Sequence, residues 1–371
     1  METVQPFNLV TEPLKAQYGP LLSEVKATIS RVLDEGVFIL GPEVEAFERE
    51  VAAYLGVEHA IGVSNCTDGM IIILDALGIG PGDEVVCPAY TFFATAQAIA
   101  RRGATPVFCD IDPTTLNLDP QDVARRVTSR TRAIIAVHLC GRPAPVDELP
   151  EGIPVIEDAA QAFGASRDGR RVGSLGLASA FSFFPSKNLF CFGDGGLVAT
   201  DDESLARRVR LLRRHGTPDL RRYEAVGYNA RLDALHAAVL RLFLPHIDEW
   251  NAGRRATAQA YSDAGLGTVA ELPLDEPGHV YHLFPVRADE AAPILESLAA
   301  EGFQCSTLFP TPFHLEPAFE QLGYTVGSLP ETERAAAEMV SLPIWPNMDP
   351  AIQRRIVAAI LSAERLRSLS P

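Results

Sequence analysis

Five short runs in the first half of the chain are almost unbroken in apolar residues: His59–Asn65 (HAIGVSN), Glu84–Tyr90 (EVVCPAY), Thr105–Ile111 (TPVFCDI), Arg132–His138 (RAIIAVH) and Pro154–Asp158 (PVIED). A strand with one face in water alternates apolar and polar side chains, whereas continuous apolar runs suit strands covered on both faces. Helical patterns lie between them, at Asp68–Leu77 and Thr91–Arg102. This β-α-β-α order predicts an α/β fold, a mostly parallel sheet with helices on both sides. Two further strands, Ser179–Phe184 and Gly195–Thr200, are joined by a loop holding Pro185, Lys187 and Gly193-Asp194-Gly195-Gly196. An arginine-rich helix (LARRVRLLRRHG) follows, then a long helix from about Arg231 to Ala264. Beyond it the pattern becomes a mixed α+β one containing VYHLFPVR. The expected division is a large domain over residues 1–247 and a smaller C-terminal α+β domain over 248–371.

Charge and cysteine usage narrow the function classes. The 371 residues carry 32 basic and 48 acidic side chains, a formal charge of −16. General nucleic-acid binding and attachment to anionic lipid both need a basic surface, so neither is expected. No apolar run approaches the ~18 residues of a membrane helix. The start, METVQPFNLV, has no basic region followed by an apolar stretch, so no signal peptide is expected. Cys66, Cys87, Cys109, Cys140, Cys191 and Cys305 form no CxxC pair. They read as small buried apolar residues in a reducing, cytoplasmic setting, with no metal site.

Ligands of an open parallel sheet bind at the carboxyl ends of its strands. After the first strand, Ser64-Asn65-Cys66-Thr67-Asp68-Gly69 leads directly into a helix, whose free N–H groups and positive dipole end suit a phosphate. N-capping by Thr67 or Asp68 accounts for the same residues. After the second strand, Tyr90-Thr91-Phe92-Phe93 offers an aromatic face to a flat ring, or simply core aromatics. An otherwise apolar strand ends in Glu157-Asp158, where a carboxylate needs a cationic or hydrogen-bonding partner; a salt bridge to arginine would satisfy it equally. Lys187 is one of three lysines among the 32 basic residues and lies in FSFFPSKNLFCFGDGG. With Phe181, Phe183, Phe184, Phe190 and Phe192 nearby, desolvation should lower its pKa toward a nucleophilic amine; the alternative is a lysine on a polar turn. Together a phosphate cradle, an aromatic plate, an acid and a nucleophilic lysine make the parts list for pyridoxal phosphate.

The runs FILGPEVEAFE, PAYTFFATA, PVIEDAAQAFGA, FSFFPSKNLFCFGDGG and GYNARLDALHAAVL resemble those of the DegT/StrS family of pyridoxal-phosphate-dependent nucleotide-sugar aminotransferases. The resemblance runs in order through about the first 245 residues and continues more weakly beyond. It implies the type I aminotransferase fold, a homodimer with shared active sites, and transfer of an amino group from L-glutamate to a keto group, at C3 or C4, of a nucleotide-linked sugar. It implies Lys187 as the Schiff-base lysine, Asp158 opposite the pyridinium nitrogen and Gln161 near the ring's phenolic oxygen. Phe92 takes the stacking position, and Cys66, Thr67 and Ser182 hold the phosphate. Asn229 is expected to reach the cofactor phosphate of the neighbouring subunit. Arg231 is expected to meet the anionic sugar nucleotide, and His314, in Pro312-Phe313-His314, is a further substrate-binding candidate.

The sequence departs from the family at two places. Cys66 stands where the family has glycine, so a contribution to the phosphate through its backbone N–H is expected. Leu308-Phe309-Pro310 replaces an HYP-like run and removes a phenol hydroxyl. Relatives that dehydrate sugars carry histidine in place of the lysine; Lys187 favours transamination. Of the seven arginines between Arg207 and Arg222, most suit a solvated helix face, with one or two candidates for the nucleotide's diphosphate. A dinucleotide-dependent dehydrogenase would need GxGxxG where the chain has SNCTDG. A non-catalytic regulator on the same fold would be expected to lose the lysine or the acid.

Overall fold

A computed structural model describes residues 11–369, with side chains through Ala363. The run METVQPFNLV, and the expectation attached to it, lie outside the described residues. The chain opens with helices α1 (Thr11–Tyr18), α2 (Leu22–Glu35) and α3 (Pro42–Leu55). The alternating part follows: β1 (His59–Val63), α4 (Cys66–Ala76), β2 (Glu84–Pro88), α5 (Ala94–Arg101), β3 (Thr105–Cys109), α6 (Pro120–Arg126), β4 (Thr131–Val137) and β5 (Val155–Asp158). A two-residue-per-strand hairpin, β6 (Ser166–Arg167) and β7 (Arg170–Arg171), precedes β8 (Ala178–Ser182) and β9 (Gly196–Thr200). Then come α7 (Glu203–Leu212), α8 (Ala234–Phe243), α9 (Ile247–Asp263), β10 (Phe284–Arg287), α10 (Ala291–Ala300), α11 (Pro330–Glu338), β11 (Met339–Leu342) and α12 (Pro350–Leu369).

Seven strands form one sheet in the order β1-β9-β8-β5-β4-β2-β3. From β8 through β3 every pairing is parallel, while β9 runs antiparallel to both β8 and β1. Two reversals restore direction, so β1 points the same way as β8, and the carboxyl ends of β1, β2, β4, β5 and β8 share one edge. Gly196 lies at that edge, paired with both Val63 and Ser182. A Cβ there would come 2.4 Å from the carbonyl carbon of Asn65, so only glycine lets the chain leaving β1 pass so close.

Side-chain alternation along the strands feeds two cores. Ile61, Val63, Ala180 and Val198 join a cluster with α4, α5 and α7. Ala60, Phe181, Leu197 and Ala199 join a second with Phe47 of α3, Phe243 of α8 and Trp250 of α9. A third cluster gathers Tyr261, Phe284, Val286, Phe303, Val340 and Ile356. Leu308, Phe313, Phe319 and Leu329, though late in the sequence, pack into the first cluster.

Two helix expectations are corrected. The long helix from Arg231 to Ala264 is broken into α8 and α9 by a 3-10 turn at Leu244–His246. Pro245 has no N–H to continue the ladder. Residues before Ala234 are extended, with Asp233 bridged to Ile39. The helix after β1 starts at Cys66, and its cap is Asn65, whose side chain accepts from the Asp68 N–H at 2.8 Å, rather than Thr67 or Asp68.

The adjacent acids at the end of β5 point to opposite faces. Glu157 is fully buried, and its carboxylate accepts from the N–H groups of Gly173, Leu175 and Gly176, each at 2.8 Å. No arginine among the described residues pairs with it. His138 fills that place, with Nε2 at 2.9 Å from Oε2. Because His138 Nδ1 accepts from the Ala144 N–H at 2.8 Å, the ring proton sits on Nε2 and is donated to Glu157. Burial alone would raise the Glu157 pKa; the His138 bond and the backbone donors outweigh it and hold the group below its ordinary 4.5. Glu157→Ala leaves four donors, two buried and two half-buried, without their acceptor and should lower the unfolding free energy by about 3–5 kcal/mol at neutral pH. A depressed folded pKa gives stability that is full above 4.5 and lost as pH falls through the folded value. Urea unfolding followed from neutral pH to about pH 3 should therefore show the gap between wild type and variant narrowing on acidification.

Candidate active site

The shared carboxyl edge of the strands opens into a cavity of about 780 Å³. Cys66 and Thr67, from the first turn of α4, and Phe92, from the segment after β2, line it. So do Asp158 at the end of β5 and Gln161 just beyond it, Ser182 from β8, and Lys187 from the β8–β9 connection. Residues spread over more than a hundred positions are brought to one wall because their strands end on the same edge.

Asp158 is 5% exposed. Its Oδ2 accepts from Thr95 Oγ1 at 2.7 Å and its Oδ1 from the Ala160 N–H at 3.3 Å. Among the described residues no basic group comes within ion-pair distance of it, so the salt bridge to arginine is not formed. A nearly dry carboxylate therefore faces the cavity without an ion-pair partner among the described residues. Gln161 Oε1 accepts from the Cys140 N–H at 2.7 Å, which orients the amide and leaves Nε2 without a protein partner among the described residues. Cys140 itself has a φ of +56°, uncommon for a side chain with a Cβ.

The first two N–H groups of α4, those of Cys66 and Thr67, have no partner within the helix, and the dipole end adds positive potential. The Cys66 thiol turns away, toward the Ala180 carbonyl at 3.4 Å and Asp158 at 3.8 Å. Burial, followed by the nearby Asp158 charge, pushes its pKa well up, so it remains a thiol. Phe92 is 63% exposed, an aromatic face held in the open.

Lys187 Nζ has no hydrogen bond or ion pair among the described residues. The side chain keeps some exposure through the cavity, yet the protein encloses it enough that desolvation lowers its pKa below 10.5, against the opposing pull of Asp158. The phenylalanines around it divide: Phe181, Phe183 and Phe190 are buried in the second core, while Phe184 lines the cavity.

Several lining or supporting groups were not singled out from the sequence. Thr95 anchors Asp158 from the first turn of α5. His282 enters from the C-terminal third, where Val280 N–H to Gly141 O at 3.0 Å and His282 N–H to Cys140 O at 2.8 Å clip the segment against the site. Asn188 Nδ2 donates to Asn251 Oδ1 at 2.7 Å and to the Val280 carbonyl at 3.1 Å, which fixes Asn188 Oδ1 as an acceptor for His282 Nδ1 at 3.1 Å. Burial, then the charges of Lys187 and Arg254, keeps His282 neutral, its pKa well below 6.5. In the sequence the VYHLFPVR run stood only as part of a mixed α+β pattern.

Three candidates are not brought to this cavity. Asn229 is exposed, in a bridge with Arg214. Arg231 lies 3.5 Å from His215 Nε2. His314 is buried, with Nε2 at 3.0 Å from Glu333. In the arginine-rich segment, Arg213 is committed to Glu48 at 2.5 Å and the Gly62 carbonyl at 2.7 Å, and none of the seven lines the cavity.

Residues 21–361 match the model of the DegT/DnrJ/EryC1/StrS aminotransferase family, and the chain belongs to that family. It is 44% identical over 364 residues to the dTDP-3-amino-3,4,6-trideoxy-alpha-D-glucose transaminase of Streptomyces venezuelae, covering 95% of this chain and 96% of that one. It is 43% identical over 357 residues to a pleiotropic regulatory protein of Geobacillus stearothermophilus, covering 94% and 96%. The crystal structure of S. venezuelae DesV in complex with a ketimine intermediate superposes with a TM-score of 0.93 at 43% identity, covering 97% of this chain and 99% of that one. The type I aminotransferase fold expected from the sequence is borne out.

Thr95→Val removes a neutral donor from a buried carboxylate, an interaction worth about 1.5–3 kcal/mol. Urea unfolding should show a loss of that size, and Thr95→Ser, which keeps the hydroxyl, should recover most of it.

Proposed function

We propose that this chain is a pyridoxal-phosphate-dependent aminotransferase that moves an amino group from L-glutamate to a keto carbon of a nucleotide-linked sugar, in amino-sugar biosynthesis. The observation that carries the reading is a buried, uncompensated Asp158 carboxylate and an unpaired, desolvated Lys187 amine facing one cavity. The donor set fits the cofactor. Asp158 would hold the protonated ring nitrogen, and Gln161 Nε2 would donate to the ring oxygen. Phe92 would cover a ring face. Thr67, Ser182 and the backbone at Cys66 would hold the phosphate, and Lys187 would anchor the group through Nζ. When bound, pyridoxal phosphate supplies an electron sink for the carbon that loses its proton.

The chain's own chemistry is then proton transfer. Lys187 Nζ, its pKa lowered by burial and freed when the donor's own amine takes its place, would accept the proton leaving the donor's α-carbon and hold it for return, and would do the reverse for the sugar. Thr95 keeps Asp158 in place throughout. Two substrates served in turn by one amine should give ping-pong kinetics.

We take the acceptor keto group to be at C3 or C4, and favour C3 by analogy with the name of the S. venezuelae relative. Asn229 and Arg231 lie outside this chain's cavity on a surface with exposed apolar neighbours, Phe38 at 44%, Ile39 at 48%, Tyr223 at 63% and Val226 at 94%. We take that surface as the homodimer contact, from which both residues would serve the partner's site and meet anionic groups. No helix among the described residues is long and apolar enough to cross a membrane. The six free cysteines suit a reducing compartment such as the cytoplasm.

Purified protein loaded with pyridoxal phosphate should absorb in the visible, and glutamate should discharge the band with release of 2-oxoglutarate. Borohydride followed by peptide mapping should place the cofactor's mass on Lys187. Lys187→Ala should lose that link and about 10²–10⁴-fold of the rate. Full turnover by Lys187→Ala would refute the assignment, and a protein that binds the cofactor but is unmoved by any amine would point to a regulator.

A further inference from the structure

A second cavity, of about 350 Å³, lies on the other side of Lys187. It shares Ser186, Lys187, His282 and Leu283 with the larger one, so the two are compartments meeting at the same amine. Pro13, Leu14 and Gln17 of α1 close one side, and Ser306 and Ser341 offer hydroxyls on another. Arg254 of α9 lines it and is 5% exposed.

The environment of Arg254 is unusual for this chain. Three described arginines are buried: Arg142, Arg213 and Arg254. Arg142 pairs with Glu276 at 2.5 Å and Arg213 with Glu48 at 2.5 Å. Arg254 has no carboxylate within ion-pair distance among the described residues. Its Nη1 makes three long bonds to backbone carbonyls, those of Tyr281 at 3.4 Å, His282 at 3.4 Å and Ile344 at 3.1 Å. Its Nε is buried without any hydrogen-bond partner. Burial pushes its pKa down to about 10, which leaves it charged at neutral pH. A guanidinium taken out of water and offered only a few carbonyls is under-satisfied, and a carboxylate matches its planar fork.

We propose that Arg254 receives a carboxylate of the amino-acid donor, making the smaller cavity the donor subsite while the nucleotide-sugar enters through the larger. The inference rests on the aminotransferase reading. The volume is at the low end for small-molecule sites, which run from roughly 300 to 1,000 Å³, and so suits an amino acid better than a nucleotide diphosphate. Lys187 borders both compartments, so one amine could exchange protons with the α-carbon of either substrate. The diphosphate of the acceptor is the competing source of an anion for Arg254, and it must be tested beside the carboxylate.

The probe is glutarate, a dicarboxylate with no amine to react, titrated calorimetrically into the cofactor-loaded protein. Nucleoside diphosphate is titrated in parallel. Arg254→Met should weaken glutarate at least tenfold while weakening the diphosphate far less. Arg254→Lys keeps the charge but loses the fork, and should weaken glutarate by a smaller factor; it also serves if the methionine variant fails to fold. In the half-reactions, KM for glutamate should rise at least tenfold more than KM for the amino sugar. Unchanged glutarate binding in both variants, or equal weakening of both ligands, overturns the proposal and leaves the aminotransferase reading standing. If the wild type binds glutarate through Arg254 yet glutamate never discharges the cofactor's band, the aminotransferase reading fails and the carboxylate site stands.

Discussion

Asp158 is a carboxylate that folding leaves where water scarcely reaches, held by a threonine hydroxyl and a backbone N–H and by no cation. Removing an ionised group from water is expensive, and a protein normally offsets the cost with a countercharge. Here the same cavity holds an amine, Lys187, that burial disfavours as a cation. Two groups of opposite sign thus face one cavity without forming an ion pair. Each is satisfied fully only when something occupies the space between them. A phosphate-bearing aromatic cation would answer the acid with its ring nitrogen and the amino end of α4 with its phosphate.

The antiparallel strand β9 is what lets one cavity see all these residues. A purely parallel sheet would need a crossover after β8, carrying the chain away from the edge where Asp158 ends its strand. The direct return keeps residues 183–195 at that edge, with Lys187 among them. The same return makes β1 run with β8, so α4 starts there too. Gly196 is the point at which the three segments meet, and the close backbone approach of Asn65 depends on its missing Cβ. Topology and site are one arrangement seen at two scales.

What was legible in the sequence follows from the range of the interactions involved. The five apolar runs were readable because burial on both faces is a property of each run by itself. The acid, the lysine and the cradle were readable because each follows a strand closely, so a local position fixes a global one. The direction of β9 was not, since Gly195–Thr200 looks the same running either way. Pro245 was visible but was outweighed by the long helical pattern around it. Thr95 belongs to an ordinary helical turn, and its partner is 63 positions away. His282 depends on clips to Cys140 and Gly141 that no local pattern announces. His314 was in sight as a polar residue near a family run, yet the structure spends it on Glu333.

The basic residues show the limit of composition as a guide. Twenty-nine of the 32 are arginines, since three are lysines, and that excess says only that arginine serves most surface duties. The distinction that matters is satisfaction. Arg142 and Arg213 are buried against acids, and they hold the fold by pairs whose breakage would strand a charge. Lys187 cannot be replaced by arginine in a covalent role, because a guanidinium keeps its proton and is no nucleophile at neutral pH. Arg254 belongs to neither group: it is buried like the structural arginines but unpaired like the lysine. Sorting cations by what remains unmet around them, rather than by their number, leaves two among the described residues that border the same amine-centred space, and both call for a negatively charged or electrophilic guest.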